Sequence, residues 1–209
     1  IGSGDYLTIS DAVAALESLG VSGPVTFELE DGEYNEQIEI FPVPGASLVN
    51  TVTFQPAVDA SVTWVYEQNA DNNYILKLTS ADHINIQNIT FQSFSDTYGR
   101  LIVLEASLDN VVLEDNIFNS ESGSTNSFAQ IYGLYSYSTD IIIQGNTFNN
   151  GYGIYLYYGN EKTGLKIMGN DFINTYNGIL IRDYSDVIIS NNTMFGNGMY
   201  GEGIFIYNC

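Results

Sequence analysis

The 209-residue chain is long enough for one well-buried domain or an elongated repeat, and its 44% hydrophobic content is that of a folded protein. Five Lys and Arg stand against 25 Asp and Glu, a net charge of −20 that repels nucleic-acid phosphates and anionic membranes. The single cysteine, Cys209, excludes an internal disulfide, and no apolar run is long enough to span a bilayer. Nucleic acid and membrane insertion are therefore not expected. An acidic polysaccharide would also be repelled unless a cation intervened, and Ca2+ is the natural one because it takes carboxylate and carbonyl oxygens. Ile1-Gly2-Ser3-Gly4 leads straight into folded-looking sequence, so the chain reads as a piece of something longer, lacking a targeting signal and a C-terminal end.

In chain order, Thr8-Ile9-Ser10-Asp11 fits a helix capping box, with the Thr8 hydroxyl and Asp11 carboxylate meeting exposed amides. Ile9, Val13, Leu16 and Leu19 follow as one apolar stripe, and Gly20 sits where the helix would stop. After Gly23-Pro24, Val25, Phe27 and Leu29 alternate with polar residues as in a half-buried strand. Asp31-Gly32 makes a turn, Ile38 and Ile40 alternate again, and Val52-Thr53-Phe54 and Val62-Thr63-Trp64-Val65 supply two more strands. Tyr6 to Val13, followed by Asp31-Gly32-Glu33-Tyr34, resembles the entry segment of the pectin-lyase-like right-handed parallel β-helix superfamily. It is most similar to large secreted surface proteins of Bacteroidota-type bacteria. The resemblance implies an all-β right-handed parallel β-helix with three strands per coil, closed at its N-terminal end by a short helix. One domain then spans residues 1–209, with a cap segment at 1–24 and coils at 25–209.

From Tyr74 onward two short strands alternate, each returning after about 20 to 30 residues, the period of a strand-built solenoid. Strand A is Leu76-Lys77-Leu78, Ile102-Val103-Leu104, Leu134-Tyr135-Ser136, Ile154-Tyr155-Leu156, Ile179-Leu180-Ile181 and Ile204-Phe205-Ile206. Strand B is Ile84-Asn85-Ile86, Val111-Val112-Leu113, Ile141-Ile142-Ile143, Leu165-Lys166-Ile167 and Val187-Ile188-Ile189. The first and third residues of each triplet point the same way, and nearly all are Ile, Leu or Val, so they form the interior. After strand B come Phe91, Phe118, Phe148, Phe172 and Met194, one above another in a corner of the core. Just before them, Asn116, Asn146, Asn170 and Asn192 are expected to take the left-handed backbone of the bend and to bond from coil to coil; Asn88 is one place early. Coils about 4.8 Å apart make roughly seven levels and a rod near 30 Å long. The excursions 120–130 and 157–164 become side loops.

The outward positions of strand A carry the best binding candidates. Tyr135, Tyr155 and Phe205 form one stripe; Tyr137, Tyr157, Arg182 and Tyr207 form the next. Tyrosines on a flat sheet match the apolar faces and hydroxyl rims of sugar rings. Cross-strand aromatic stacking that only stabilises the sheet fits them equally. On the outward side of strand B, Val112, Ile142 and Ile188 form an aliphatic stripe, expected beneath the 120–130 excursion or against a partner.

For catalysis, the superfamily's polysaccharide lyases use a Lys or Arg base with a cation neutralising the uronate. The candidates here are Lys77 and Arg182, on one face but several coils apart, with Glu105 as an isolated carboxylate. The polygalacturonase Asn-Thr-Asp, Asp-Asp and Gly-His-Gly signatures and the pectin-methylesterase pattern are missing. Asp109, Glu114 and Asp115 cluster at one turn and are candidate calcium ligands, although their spacing matches no EF-hand or nonapeptide repeat. His83 beside Asp82 reads as a solvated turn residue. The expected function is an extracellular or cell-surface spacer and adhesin module, non-catalytic, that binds a polysaccharide or surface glycan through the tyrosine face. A polysaccharide lyase or hydrolase is the first alternative, and a filament built by end-to-end self-association the second.

Overall fold

Short alternating segments bounded by polar turns give each coil one strand for each of three parallel sheets, and each sheet has seven strands. The structure, a computed structural model, describes residues 1–2, 4–121, 123–134, 137–157, 163–196 and 203–209. The A sheet runs from Ile38–Ile40 through Leu76–Thr79, Ile102–Glu105, Ile131–Leu134, Ile154–Tyr157 and Ile179–Arg182 to Ile204–Tyr207. The B sheet comprises Val25–Leu29, Val52–Pro56, Ile84–Gln87, Val112–Glu114, Ile142–Gln144, Lys166–Met168 and Ile188–Ser190. The C sheet comprises Gly32–Asn35, Val62–Val65, Thr90–Gln92, Ile117–Asn119, Thr147–Asn149, Asp171–Ile173 and Thr193–Phe195. The solenoid expected from the repeat is therefore present, and its first coils precede the regular stretch. Ile154, Ile179 and Ile204 are vertical neighbours, as are the inward residues of every B rung.

The enclosed core is a column of aliphatic side chains plus one aromatic stack. Trp64, Phe91, Phe118, Phe148 and Phe172 lie face to face, with centroid separations of 5.4, 5.5, 4.9 and 4.6 Å. Met194 is in register with Phe172 one coil on. All five rings are fully buried. Offset stacking adds to the area each ring removes from water.

The bend between B and C strands is closed by the asparagine ladder. The backbone N–H of Asn116 donates to Asn146 Oδ1, that of Asn146 to Asn170 Oδ1, and that of Asn170 to Asn192 Oδ1, each at 2.9 Å. Each Nδ2 also donates to a carbonyl of the preceding coil, as Asn146 does to Leu113 at 2.8 Å. Ile89 occupies the first rung, and its N–H reaches Asn116 Oδ1, which is why Asn88 falls one place early. The left-handed backbone belongs not to these asparagines but to the residue before each: Asn88, Asp115, Gly145, Gly169 and Asn191 all have φ between 53° and 66°. The bend thus uses two residues, one to reverse the backbone and one to satisfy its amides.

The helix Ile9–Leu19 covers the N-terminal end, where stacked strands would leave an open edge. Thr8 Oγ1 accepts the Asp11 N–H at 3.0 Å, as the capping box predicts. The remaining free amides, Ile9 and Ser10, go to the carboxylate of Glu36 at 2.9 Å each, from outside the helix. Gly20 ends it at φ 67°, where a Cβ would lie 2.4 Å from the Pro44 carbonyl oxygen. The buried stripe is Ile9, Ala12, Val13 and Leu16; Leu19 is 80% exposed, outside the core assigned to it from spacing.

Two expectations about the A and B faces are corrected. The third regular A strand is Ile131–Leu134, with Ile131 beside Ile102 and Tyr132 beside Val103, not Leu134-Tyr135-Ser136. Gly133 holds the inward position, where a Cβ would come 2.9 Å from Leu156 Cδ2. The neighbouring Leu156 fills that space. The 120–130 excursion packs on the A side through Phe128, against Tyr132 and Tyr152, so it does not cover the B stripe. Val112 and Ile142 are half-buried within the sheet surface, and Ile188 is exposed.

Candidate functional site

The outward A positions read, coil by coil, Lys77, Val103, Tyr132, Tyr155, Leu180 and Phe205. The next outward row reads Thr79, Glu105, then Leu134 beside Tyr157, then Arg182 beside Tyr207. Tyr155 and Phe205 therefore share a stripe as expected, and so do Arg182 and Tyr207. Tyr135 lies outside the described residues. Tyr137 belongs to a separate two-stranded sheet, Ser107–Asp109 with Tyr137–Thr139, and not to the A sheet.

The aromatic residues form a connected strip. Tyr132 stacks on Tyr155 at 5.6 Å, Tyr152 meets Tyr155 edge-on at 5.7 Å, and Tyr155 approaches Tyr157 at 5.3 Å. Three cations sit on its rings. Lys77 Nζ is 5.0 Å from the Tyr74 centroid and the Arg100 guanidinium 3.4 Å from that of Tyr132. Arg182 lies between Tyr157 and Tyr207, at 4.9 and 4.7 Å. Tyr132 and Tyr152 are buried by the 120–130 excursion, whereas Tyr155 and Tyr157 stay half-buried and Phe205 and Tyr207 exposed. Burial pushes the Tyr155 hydroxyl above its ordinary pKa, so it stays a neutral donor and acceptor.

At the N-terminal end of this strip the A face sinks into a groove of about 600 Å³. Its walls include Asp71 and Tyr74 on one loop, Arg100 at the entry to the next coil, Lys77 and Glu105 on the sheet, and Tyr132. Lys77 Nζ is held between Glu39 Oε2 at 3.0 Å and Glu105 Oε2 at 3.4 Å. Burial pulls the Lys77 pKa down, but the hydrogen bond and charge of Glu39, with Glu105, outweigh it, so the ammonium is held above its ordinary value. Such a lysine is a fixed cation, not a ready proton acceptor. Glu105, isolated in sequence, thus shares a cation with Glu39 from two coils earlier. Arg182 stands apart at the far end, bonded to the Tyr157 hydroxyl and 3.3 Å from Asp183. Lys77 and Arg182 are not one site, as their spacing had indicated.

The carboxylates at the turn are engaged within the ladder. Asp109 accepts the Thr139 hydroxyl and gives its N–H to Asp82, and Glu114 accepts Gln87 and Gln144. Asp115 is one of the left-handed turn residues. Among the described residues, no group of three or more His, Cys, Asp or Glu is placed to hold a metal ion. A second hollow, about 640 Å³, lies between the helix and the first B strand, beside Tyr6, Leu16 and Phe27, and among the described residues no Lys or Arg lines it.

Sequence spacing missed Tyr74, Arg100 and Tyr132. Tyr74 and Arg100 lie in the loops that enter a coil, where no periodicity marks them. Tyr132 was legible only by choosing Ile131 instead of Leu134 as the start of its rung.

A family model described as right handed beta helix region matches residues 74–209. No curated protein and no solved structure matches the chain significantly.

Proposed function

The chain belongs to the right-handed β-helix family, and from that premise we propose that it is a non-catalytic, extracellular module that binds a polysaccharide along its A face. The observation that carries this reading is the groove bordered by Tyr74, Lys77, Arg100 and Tyr132, which continues into the Tyr155–Tyr157 strip. A long shallow path in which the half-buried rings of Tyr74, Tyr155 and Tyr157 alternate with charged groups suits a chain of sugar rings lying flat. Removing the aromatic face of Tyr74 or Tyr157 by substitution with Ala should weaken glycan binding by roughly fivefold each, since one ring contact is worth about 1 kcal/mol. Glycan-array screening followed by titration of the best ligand measures this. Unchanged affinity in both variants would remove the aromatic path from the reading.

One observation favours a cleaving enzyme instead: Glu39 and Glu105 both approach Lys77 on the same face, and a glycosidase needs two carboxylates about one bond. Assays for new reducing ends and for unsaturated products on acidic and neutral polysaccharides separate the two readings. Binding without turnover supports the module, and turnover abolished by Glu105→Gln supports the enzyme.

A further inference from the structure

In a chain with five cationic and 25 acidic side chains, an arginine at a groove wall has every statistical opportunity to find a carboxylate. The two sheet-borne cations of the A face do: Lys77 has Glu39 and Glu105, and Arg182 has Asp183. Arg100 does not. Among the described residues no carboxylate oxygen lies within salt-bridge distance of it. It is nevertheless half-buried, and a buried guanidinium without a counter-charge is costly unless something else neutralises it.

Its orientation is also fixed. Nε donates to the Asn126 carbonyl oxygen at 3.0 Å, and the planar group lies over the Tyr132 ring. The loop supplying Asn126 is tied down in turn: Asn73 Nδ2 donates to Ser127 O at 3.0 Å, and Arg100 N donates to Asn73 Oδ1 at 3.1 Å. Two loops from different coils therefore hold one guanidinium against one ring at the groove wall. With Nε engaged by Asn126 and a further side-chain hydrogen bond made to Tyr132, the other terminal N–H groups are the donors that remain for a ligand in the groove, in the planar geometry that matches an oxyanion.

We infer that Arg100 is an oxyanion-binding residue, and that the sugar chain taken by the groove carries a carboxylate or a sulfate ester placed against it. This deepens the polysaccharide reading and rests on it for the identity of the carrier. The protein's negative field opposes any polyanion at long range, so recognition depends on this one desolvated contact and not on general attraction.

The test uses the full chain with dextran, carboxymethyl-dextran and dextran sulfate of matched length, together with sodium acetate and sodium sulfate. At least one charged dextran should bind about tenfold more tightly than neutral dextran, the worth of one charge-assisted pair. Arg100→Gln should abolish that preference, and Arg100→Lys should retain part of it. Which charged derivative wins identifies the group. Equal affinity for all three dextrans, or a preference that survives Arg100→Gln, overturns the proposal while leaving a glycan module standing. If none of the dextrans binds, the readout is phenylglyoxal modification of Arg100 in the unmutated protein, followed by mass spectrometry. Protection by sulfate or acetate then supports the oxyanion site and counts against the polysaccharide reading; no protection overturns the oxyanion site as well.

Discussion

Asn146→Ala should cost about 3–5 kcal/mol of stability, among the largest effects of any polar substitution in this chain. Asn146 is 1% exposed, and its side chain serves four groups at once. Its Oδ1 accepts the Asn116 N–H at 2.9 Å and the Asn116 Nδ2 at 3.1 Å, and its Nδ2 donates to Leu113 O and Asn170 Oδ1. Alanine leaves the Asn116 amide and the Leu113 carbonyl without those partners in a space closed to water, and each orphaned group costs about 1–3 kcal/mol. Asn192, at the half-buried end of the ladder, should lose only about 1 kcal/mol on the same change. Guanidinium unfolding of the two variants measures the difference as a shift in midpoint at constant slope. Equal costs at both rungs would mean that the ladder is decoration on a bend held by other forces.

Phe148→Ala should be similarly destabilising, by about 3–5 kcal/mol, for an apolar reason. The ring is fully buried and lies between Phe118 at 4.9 Å and Phe172 at 4.6 Å, so its removal opens a void bounded by two rings fixed by their own strands. The parallel ladders on either side, Phe118 to Phe148 and Phe148 to Phe172, hold those rings at strand spacing and limit collapse into the space. Phe148→Leu, which keeps most of the volume, should cost less than about 1.5 kcal/mol. Phe195, 63% exposed at the last C strand, should tolerate Ala within about 0.5 kcal/mol. Thermal melts of the three variants order them, and a Phe148→Ala protein as stable as Phe195→Ala would contradict the stacked core.

The parts of this structure that were legible in the sequence are those that repeat. An Ile-x-Ile triplet, a turn, an Asn and a Phe recur because each coil rests on the last, and in-register stacking puts like on like. The strand B register, the phenylalanine stack and the coil-to-coil asparagine bonds all follow from that rule. The misreadings occur where one coil borrows from another. Gly133 sits inward with no side chain because Leu156 fills its place, so Leu134-Tyr135-Ser136 looked like the better triplet than Ile131-Tyr132-Gly133. Leu19 fits the helical spacing but projects past the edge it was expected to cover, and Ala12 packs instead. The left-handed residue and the ladder asparagine are adjacent, and both are often Asn, which merged two roles into one. The groove was the least legible feature. Tyr74 and Arg100 are loop residues from coils whose lengths differ, and only the fold brings them beside Lys77 and Tyr132.

The central claim is that residues far apart in sequence stand directly above one another in a single parallel coil. It is tested most directly by a distance between spin labels at Thr53 and Ile188, both on the outer B face, in a protein with Cys209 replaced by Ser. The register places five strand spacings between them, Thr53 to Asn85, Val112, Ile142, Lys166 and Ile188. Pulsed electron resonance should give one narrow distribution centred at about 24 Å. A centre beyond about 35 Å, or a broad distribution without a dominant distance, would contradict the coil.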